Sequence, residues 1–192
     1  MRVSEITRTT KETDISVKIN LDICDKTEIN TGVGFFDHML TALSVHSGIS
    51  MEISCKGDLY VDCHHTIEDV GIAIGKAFNQ AVFSKAGITR YGSAQIPMDE
   101  ALAMATLDIS NRPYLVFNAT FTSDKTGDFD NQMCEEFFRA FAFNAGITLH
   151  INLMYGTNDH HKIEGIFKAV AHALKTAIKI NGDKDLSTKG VI

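Results

Sequence analysis

The sequence contains the pentapeptide His64-His65-Thr66-Ile67-Glu68 and, 96 residues further on, the similar pentapeptide His160-His161-Lys162-Ile163-Glu164. Both copies read H-H-x-I-E, and together they hold four of the eight histidines in the 192-residue chain. Residues three and four positions apart share a face of an α-helix, so both histidines of a copy can lie beside its glutamate. Imidazole and carboxylate groups at this spacing are typical of a metal site. Adjacent histidines point about 100° apart around a helix, which favours binding to two ions over binding to one.

An internal repeat connects the two pentapeptides. At an offset of 98 residues, Gly48-Ile49 aligns with Gly146-Ile147, and the β-like run Ile15–Ile19 aligns with Pro113–Phe117. A two-residue deletion in the second copy reduces the offset to 96 at the histidine pairs. Self-similarity of this kind indicates two copies of one folding unit, with equivalent residues at equivalent places.

Each half contains the same kinds of predicted elements. Alternating apolar residues predict strands, and apolar residues at a period of 3.6 predict helices. The predicted strands are Ile15–Ile23, Ile49–Ser54, Met104–Ile109, Tyr114–Phe121 and Ile147–Leu153. The predicted helices are about Phe36–His46, His64–Phe83, Met133–Asn144 and His160–Ile180. We therefore expect an α+β fold, an internal duplication of a β-β-α-β-α unit in which each half is a sheet with two helices on one face. The two repeats, about 1–92 and 93–192, would form a single domain over residues 1–192.

The repeat also indicates which residues complete the set of metal ligands. His38 lies on the first predicted helix of the first half, and Glu136 lies 98 residues later on the corresponding helix. The neighbouring Glu135 could take the place of Glu136 as the ligand. Four ligands for each of two ions would leave an octahedral ion two positions for water or substrate. The candidate metal ligands are His38, His64, His65, Glu68, Glu136, His160, His161 and Glu164.

Composition narrows the class of protein. A net charge of −6 does not favour a nucleic-acid-binding or anionic membrane-binding surface, so we expect neither partner. No transmembrane run and no signal-peptide core are found in the sequence. The four cysteines have no C-x-x-C spacing, which favours free thiols in a reducing compartment. We therefore expect a cytoplasmic protein.

Basic residues differ between the halves. Lys168 lies four residues after the glutamate of the second pentapeptide, where the first half has Ile72. The C-terminal run Ser187-Thr188-Lys189-Gly190 combines hydroxyl, backbone N–H and ammonium groups, which suit a phosphate. Arg90 and Arg112 could assist it, although a single arginine is as readily a solvated charge. The sequence thus indicates a phosphate-bearing small molecule as a candidate substrate.

Further motifs extend the pattern over essentially the whole chain: Thr10–Thr13, Gly34–Leu40, Asp62–Asp69, Met98–Leu102, Asn111–Tyr114, Gly146–His150, Phe167–Ala169 and Ser187–Val191. In these motifs the chain resembles the imidazoleglycerol-phosphate dehydratase family of histidine biosynthesis. The resemblance implies a duplicated β-β-α-β-α unit and an enzyme that removes water from D-erythro-imidazole glycerol phosphate to give imidazole acetol phosphate. It also implies two Mn²⁺ ions per active site and a homo-oligomer of 24 subunits with sites between subunits.

The resemblance assigns roles to particular residues. It implies metal binding by the eight candidate ligands. It implies substrate binding by Glu12, His46, Arg90, Arg112, Lys168, Ser187 and Lys189. Glu12 would position or protonate the leaving hydroxyl, and Glu68 or Glu164 would carry the proton as the other catalytic residues. The chain departs from the family pattern at Glu136, where many members have histidine, and at Ala42, where relatives often have glutamine.

Two other classes of protein remain open from the sequence. A dinuclear metal-dependent phosphoester hydrolase could use the same ligands. A metal-storage or assembly protein could also carry duplicated ligands, but it would not need Arg90, Arg112 and Lys189 around them. Identification of the product, free phosphate or an enolisable ketone, distinguishes the hydrolase from the dehydratase. Turnover of any kind distinguishes an enzyme from a metal-storage or assembly protein.

Overall fold

A computed structural model describes residues 1–83, 87–182 and 186–187 of the chain. Within these ranges the chain forms ten strands and four helices. The helices are α1 Gly34–Ser47, α2 His64–Val82, α3 Met133–Ala145 and α4 Asp159–Ala177. The strands are β1 Val3–Thr9, β2 Thr13–Asn20, β3 Thr27–Asn30, β4 Ser50–Gly57, β5 Tyr91–Met98, β6 Ala101–Ile109, β7 Tyr114–Asn118, β8 Lys125–Thr126, β9 Phe129–Asp130 and β10 Ile147–Tyr155.

Two four-stranded sheets of the same topology confirm the expected duplication. Their strand orders are β1-β2-β4-β3 and β5-β6-β10-β7. In each sheet the first two pairs are antiparallel and the last pair is parallel. The fold is therefore a mixed α and β structure with two similar halves, as the repeat predicted. Each four-stranded sheet has one strand more than the expected unit, so the order shared by the two halves is β-β-β-α-β-α, with a short hairpin, β8 and β9, added in the second half.

One part of the sequence alignment is wrong. Ile15–Ile19 lies in β2, whose position in the sheet corresponds to β6, whereas Pro113–Phe117 overlaps β7. The error arises because three residues, 31–33, connect β3 with α1, whereas fourteen, 119–132, connect β7 with α3. The longer connection contains a hairpin formed by β8 and β9. The predicted strands also extended too far, to Ile23 and Phe121.

The helical part of the alignment is confirmed. Helices α1 and α3 end before Gly48 and Gly146, which adopt left-handed φ angles of 75° and 69°. Glycine is preferred at such a C-terminal position because it lacks the Cβ atom that makes this conformation costly. His38 and Glu136 therefore occupy equivalent places on equivalent helices, as the offset of 98 predicts.

The four helices lie on the inner faces of the two sheets and contact each other across the middle of the molecule. Helices α1 and α2 pack on the first sheet, and α3 and α4 pack on the second. Helix α2 also packs against α3, and α1 packs against α4. Gly92 in β5 allows a particularly close approach, since a Cβ atom there would lie 1.9 Å from the Ala173 carbonyl oxygen of α4. The contact of α1 with α4 brings His38 towards the second pentapeptide.

The buried residues explain why these elements pair. In β2 every second residue is buried, including Ile15, Val17 and Ile19, so one face of the strand is apolar. Phe137 and Phe167, on helices of the second half, stack with ring centroids 5.3 Å apart and complete the centre of the core. No helix among the described residues combines the length and the apolar character that a membrane span requires.

Candidate metal and substrate site

The two pentapeptides lie at the N-termini of α2 and α4, where side chains fix the start of each helix. The Asn158 side chain accepts hydrogen bonds from the backbone N–H groups of His160 and His161. At the other helix, Asp62 Oδ1 accepts from His64 N–H at 2.8 Å. Such N-terminal capping satisfies N–H groups that have no partner within the helix. It also fixes the direction in which each histidine pair leaves the backbone.

Three predicted ligands form one cluster within the subunit. Potential ligand atoms of His38, His160 and Glu164 all lie within 4.8 Å of one another. Glu164 Oε2 is 3.1 Å from His160 Nε2 and 3.6 Å from His38 Nε2. The ring of Phe35 packs edge-on against His160 at a centroid distance of 5.0 Å. Two imidazoles and a carboxylate at these distances suit a first-row divalent metal ion.

Lys168 lies directly beside this cluster. Lys168 follows Glu164 by one helical turn of α4, and its ammonium is 2.5 Å from Glu164 Oε1. Burial raises the pKa of Glu164, but Lys168 and the nearby histidines outweigh it, so the net shift is downward. Glu164 therefore stays ionised, as a metal ligand must. His46 lies close by, and burial together with Lys168 and His172 lowers its pKa.

The second histidine of each pair contacts carboxylates outside its own pentapeptide. His65 Nδ1 contacts Asp58 at 3.1 Å, and its Nε2 is 3.8 Å from Glu12. His161 Nδ1 contacts Glu100 at 2.6 Å. These partners differ from those of His64 and His160 because adjacent residues project in different directions around a helix.

The carboxylates at these Nδ1 atoms set the orientation of both rings. The hydrogen bond to Asp58 raises the pKa of His65, and the hydrogen bond to Glu100 raises the pKa of His161. Metal-binding histidines commonly donate one ring N–H to a carboxylate, which leaves the other nitrogen for the metal. The arrangement thus suits Nε2 of His65 and His161 for ligation.

The equivalent set, formed by His64, Glu68 and Glu136, is more open. His64 Nε2 is 3.9 Å from Glu68 Oε2. Glu136 Oε1 lies 3.5 Å from Arg139, and Glu135 also pairs with that arginine at 2.8 Å. Among the described residues, the ligand atoms of the His38 cluster are all mutually close, and those of this set are not. Five of the eight predicted ligands therefore lie outside the cluster.

The basic residues predicted to bind phosphate meet around Asp108. Both carboxylate oxygens of Asp108 accept from Arg90, at 2.6 and 3.0 Å, and Asp108 Oδ2 also accepts from Arg112 Nη2 at 3.4 Å. Arg90 Nη1 also donates to the Leu186 carbonyl at 2.6 Å, which places Ser187 next to this group. The hydrogen bonds to Asp108 raise the pKa of Arg90. Lys189 lies outside the described residues.

This arginine group and Lys168 lie at opposite ends of β5. Tyr91, at the start of the strand, pairs with Asp108, whereas Met98, at its end, is 3.6 Å from Lys168 Nζ. Seven residue steps of a strand span roughly 23 Å. One small substrate cannot contact both groups of the same subunit at once.

Sequence reasoning missed three acidic residues that organise the site. Asp58 and Glu100 orient the second histidines, and Asp108 joins the two arginines. Glu100 also fixes the loop before α4, because its Oε1 accepts from the backbone N–H groups of Thr157 and Asn158. Asp99-Glu100 was visible as an acidic pair before an apolar strand. Its spatial relation to His161 depends on the sheet register and leaves no local signal.

Comparison with known proteins finds relatives that match the full chain. A family model described as imidazoleglycerol-phosphate dehydratase matches residues 31–174. The imidazoleglycerol-phosphate dehydratase of Clostridioides difficile (strain 630) is 54% identical over 192 residues, and both chains are covered completely. That of Streptococcus gordonii is 53% identical over 194 residues, again with complete coverage of both chains.

A solved structure gives the same result for the fold. The crystal structure of imidazoleglycerol-phosphate dehydratase from Staphylococcus aureus subsp. aureus N315 superimposes with a TM-score of 0.86 at 45% identity. The alignment covers 93% of this chain and 99% of that one. The chain therefore belongs to the imidazoleglycerol-phosphate dehydratase family, the hydro-lyases of histidine biosynthesis.

Proposed function

We propose that the protein is a Mn²⁺-dependent dehydratase that converts D-erythro-imidazole glycerol phosphate into imidazole acetol phosphate and water. The observation that carries the proposal is the cluster of His38, His160 and Glu164 beside Lys168, in a chain of this family. The cluster supplies metal donors, and Lys168 supplies a cation for an anionic substrate. His160, Glu164 and Lys168 belong to the same short stretch of α4, and His38 reaches them from α1.

The donor set fits two Mn²⁺ ions per active site. Imidazole and carboxylate together suit manganese, which accepts nitrogen and oxygen ligands. One ion would use His38, His160 and Glu164, and the other would use His64, Glu68 and Glu136. His65 and His161 would add one further nitrogen to each. At Glu136, a carboxylate in place of the histidine of many relatives keeps an oxygen ligand and adds negative charge.

The bound ions would supply Lewis-acid chemistry for the imidazole ring and the leaving hydroxyl. Both oxygens of Glu164 are engaged, one by Lys168 and one by histidines, so its role in the proposal is to hold the site. Glu68 is nearly half exposed, and its carboxylate lies 3.9 Å from His64 Nε2, which suits it better as the proton shuttle. Glu12, next to His65 Nε2, would position or protonate the leaving hydroxyl.

The phosphate group would bind to Arg90, Arg112, Ser187 and Lys189, with Lys168 and His46 nearer the reacting carbons. The side chain of Arg112 is 63% exposed, so it can reach a ligand without breaking a buried contact. Arginine favours phosphate because its planar donors form two parallel hydrogen bonds.

We further propose a cytoplasmic homo-oligomer, which the family resemblance suggests has 24 subunits, with each active site formed between subunits. The separation of Lys168 from the arginine group along β5 supports this proposal, because a second subunit could bring the two ends together. The five ligands outside the His38 cluster also support it. Within the part of the chain that the structure describes, they do not form a second cluster of three close ligand atoms.

The function is tested by assay of the Mn²⁺-loaded, assembled protein with D-erythro-imidazole glycerol phosphate. We expect an enolisable ketone to form while inorganic phosphate stays absent. Release of phosphate without a ketone would indicate the dinuclear phosphoester hydrolase instead. Stoichiometric Mn²⁺ binding without either product would indicate a metal-storage protein.

A further inference from the structure

Helix α1, which carries His38, receives its N-terminal cap from the other half of the chain. Val33, the residue before the helix, makes no side-chain cap. Instead Asp128, in the turn between β8 and β9, accepts hydrogen bonds from Gly34 N–H at 2.6 Å and Phe35 N–H at 3.1 Å. A carboxylate at this position satisfies free N–H groups and is stabilised by the helix dipole.

Apolar contacts reinforce the same junction. Phe129, the residue after Asp128, is completely buried. Its ring centroid lies 5.5 Å from that of Phe35, and Phe35 packs on the other side against His160. The first turn of α1 is therefore held between the hairpin and a candidate metal ligand.

The start of the hairpin segment is fixed to α4. Asp159 accepts hydrogen bonds from the backbone N–H groups of Thr122 at 2.9 Å and Ser123 at 2.7 Å. Asn131, just after the hairpin, donates to the Ser123 carbonyl at 2.9 Å and closes the loop. The hairpin thus bridges α1, which carries His38, and α4, which carries the other two members of the cluster.

The first half of the chain offers a natural comparison. Its corresponding connection has only three residues, 31–33, which cannot form such a hairpin. The corresponding ligands, His64, Glu68 and Glu136, do not form a cluster among the described residues. The half-site with a hairpin is assembled, and the half-site without one is open.

We propose that Asp128 is a positioning residue for the metal site. By capping α1, it holds His38 at the distance from His160 and Glu164 at which all three can bind one ion. This inference rests on the proposed function, because it requires that the cluster binds Mn²⁺.

The test is equilibrium Mn²⁺ binding to the assembled protein, followed by electron paramagnetic resonance of free Mn²⁺. Asp128→Ala should weaken one class of site by roughly five- to tenfold, the usual effect of losing a helix cap. When Asp128→Ala is added to His64→Ala, which lacks a ligand of the other ion, it should weaken Mn²⁺ binding by the same factor. When it is added to His38→Ala, which lacks the residue that Asp128 positions, it should weaken Mn²⁺ binding no further.

Asp124→Ala is the matched control, since it removes a carboxylate from the same loop that does not bond to α1. It should bind Mn²⁺ as the parent protein does. If Asp128→Ala fails to fold, Asp128→Asn, which preserves the shape and one acceptor oxygen, should still weaken binding severalfold. Unchanged affinity in the folded variant, or an equal loss in the His38→Ala background, would overturn the inference. Failure of the parent protein to bind Mn²⁺ would instead overturn the proposed function.

Discussion

Arg90 and Arg112 both contact Asp108, but their surroundings give them different tasks. Arg90 is 8% exposed and also bonds to the Leu186 carbonyl, so it fixes the C-terminal segment against the second sheet. Arg112 is exposed, and its contact with Asp108 is long. Loss of a buried, hydrogen-bonded charge leaves its partner unpaired, whereas loss of an exposed charge costs little stability. Arg112 is therefore the better position at which to test phosphate binding.

Arg112→Ala should raise KM for the phosphate substrate by roughly ten- to a hundredfold, the cost of one charge-assisted hydrogen bond. We expect kcat and the melting temperature to change little, because the side chain is exposed and remote from the metal cluster. Steady-state kinetics would measure the first effect and thermal unfolding the second. Lys18→Ala removes another exposed cation with a carboxylate partner and should leave KM unchanged. An unchanged KM in Arg112→Ala would exclude this residue from the phosphate site.

Individual ligand types were predictable from the sequence because two equivalent pentapeptides constrain each other. His38 meets His160 and Glu164 where α1 packs against α4, a contact that the repeat does not indicate. The partners of His65 and His161 were not predictable. Asp58 lies at the end of β4 and Glu100 in a turn, and only the tertiary fold brings them to the histidines.

At the level of elements, the connection between β7 and α3 depends on a buried ion pair in α4. Asp159 and Lys162 lie 2.7 Å apart with side chains 5% and 4% exposed, and the Thr120 carbonyl also accepts from Lys162. Burial raises the pKa of Asp159, but hydrogen bonds from Lys162 and Ser123 outweigh it and place the pKa below its ordinary range. The pair ties α4 to the segment that leads into the hairpin.

Asp159→Asn should lower the free energy of unfolding at pH 7 by about 3–5 kcal/mol, because it leaves the Lys162 ammonium buried without its counter-charge. Since the folded-state pKa is depressed, this contribution is present above the unfolded pKa and is lost as pH falls towards the folded pKa. The difference between parent and variant should therefore narrow below about pH 4.

Urea unfolding at a series of pH values measures this difference. Asp14→Asn, at an exposed carboxylate bonded to Thr9, is the control and should change stability by less than about 0.5 kcal/mol. A difference that stays constant down to pH 2 would show that the charge of Asp159 is not the source of the stability.

The elements themselves were predictable to different degrees. All four helices were predicted, because their apolar period is long and clear. Strand β5 was missed because it contains Gly92 and Pro97, residues that weaken a strand signal and are tolerated here at a sheet edge. Strands β8 and β9 have two residues each, too few to show any period. The hairpin they form caused the error in the repeat alignment.

At the scale of the whole molecule, duplication produces two similar halves that differ at their functional surfaces. The second half supplies Lys168 and the arginine group, and its hairpin organises the first helix of the other half. Because Lys168 and the arginine group lie at opposite ends of β5, one subunit carries both parts of a site, but the two parts are not in contact. In the proposed homo-oligomer, association would resolve this separation, since the end of β5 in one copy could face the start of β5 in another.

Subunit complementation tests this account most directly. His160→Ala disables the metal cluster, and Arg112→Glu reverses a charge in the arginine group that is proposed to bind the substrate's phosphate. Each variant alone should therefore form almost no ketone from the substrate. Co-expression of the two variants, loaded with Mn²⁺, should restore ketone formation, because some sites would combine an intact cluster from one subunit with an intact Arg112 from another. Ketone formation that stays at the level of the single variants, in mixed oligomers of native size, would contradict a site shared between subunits.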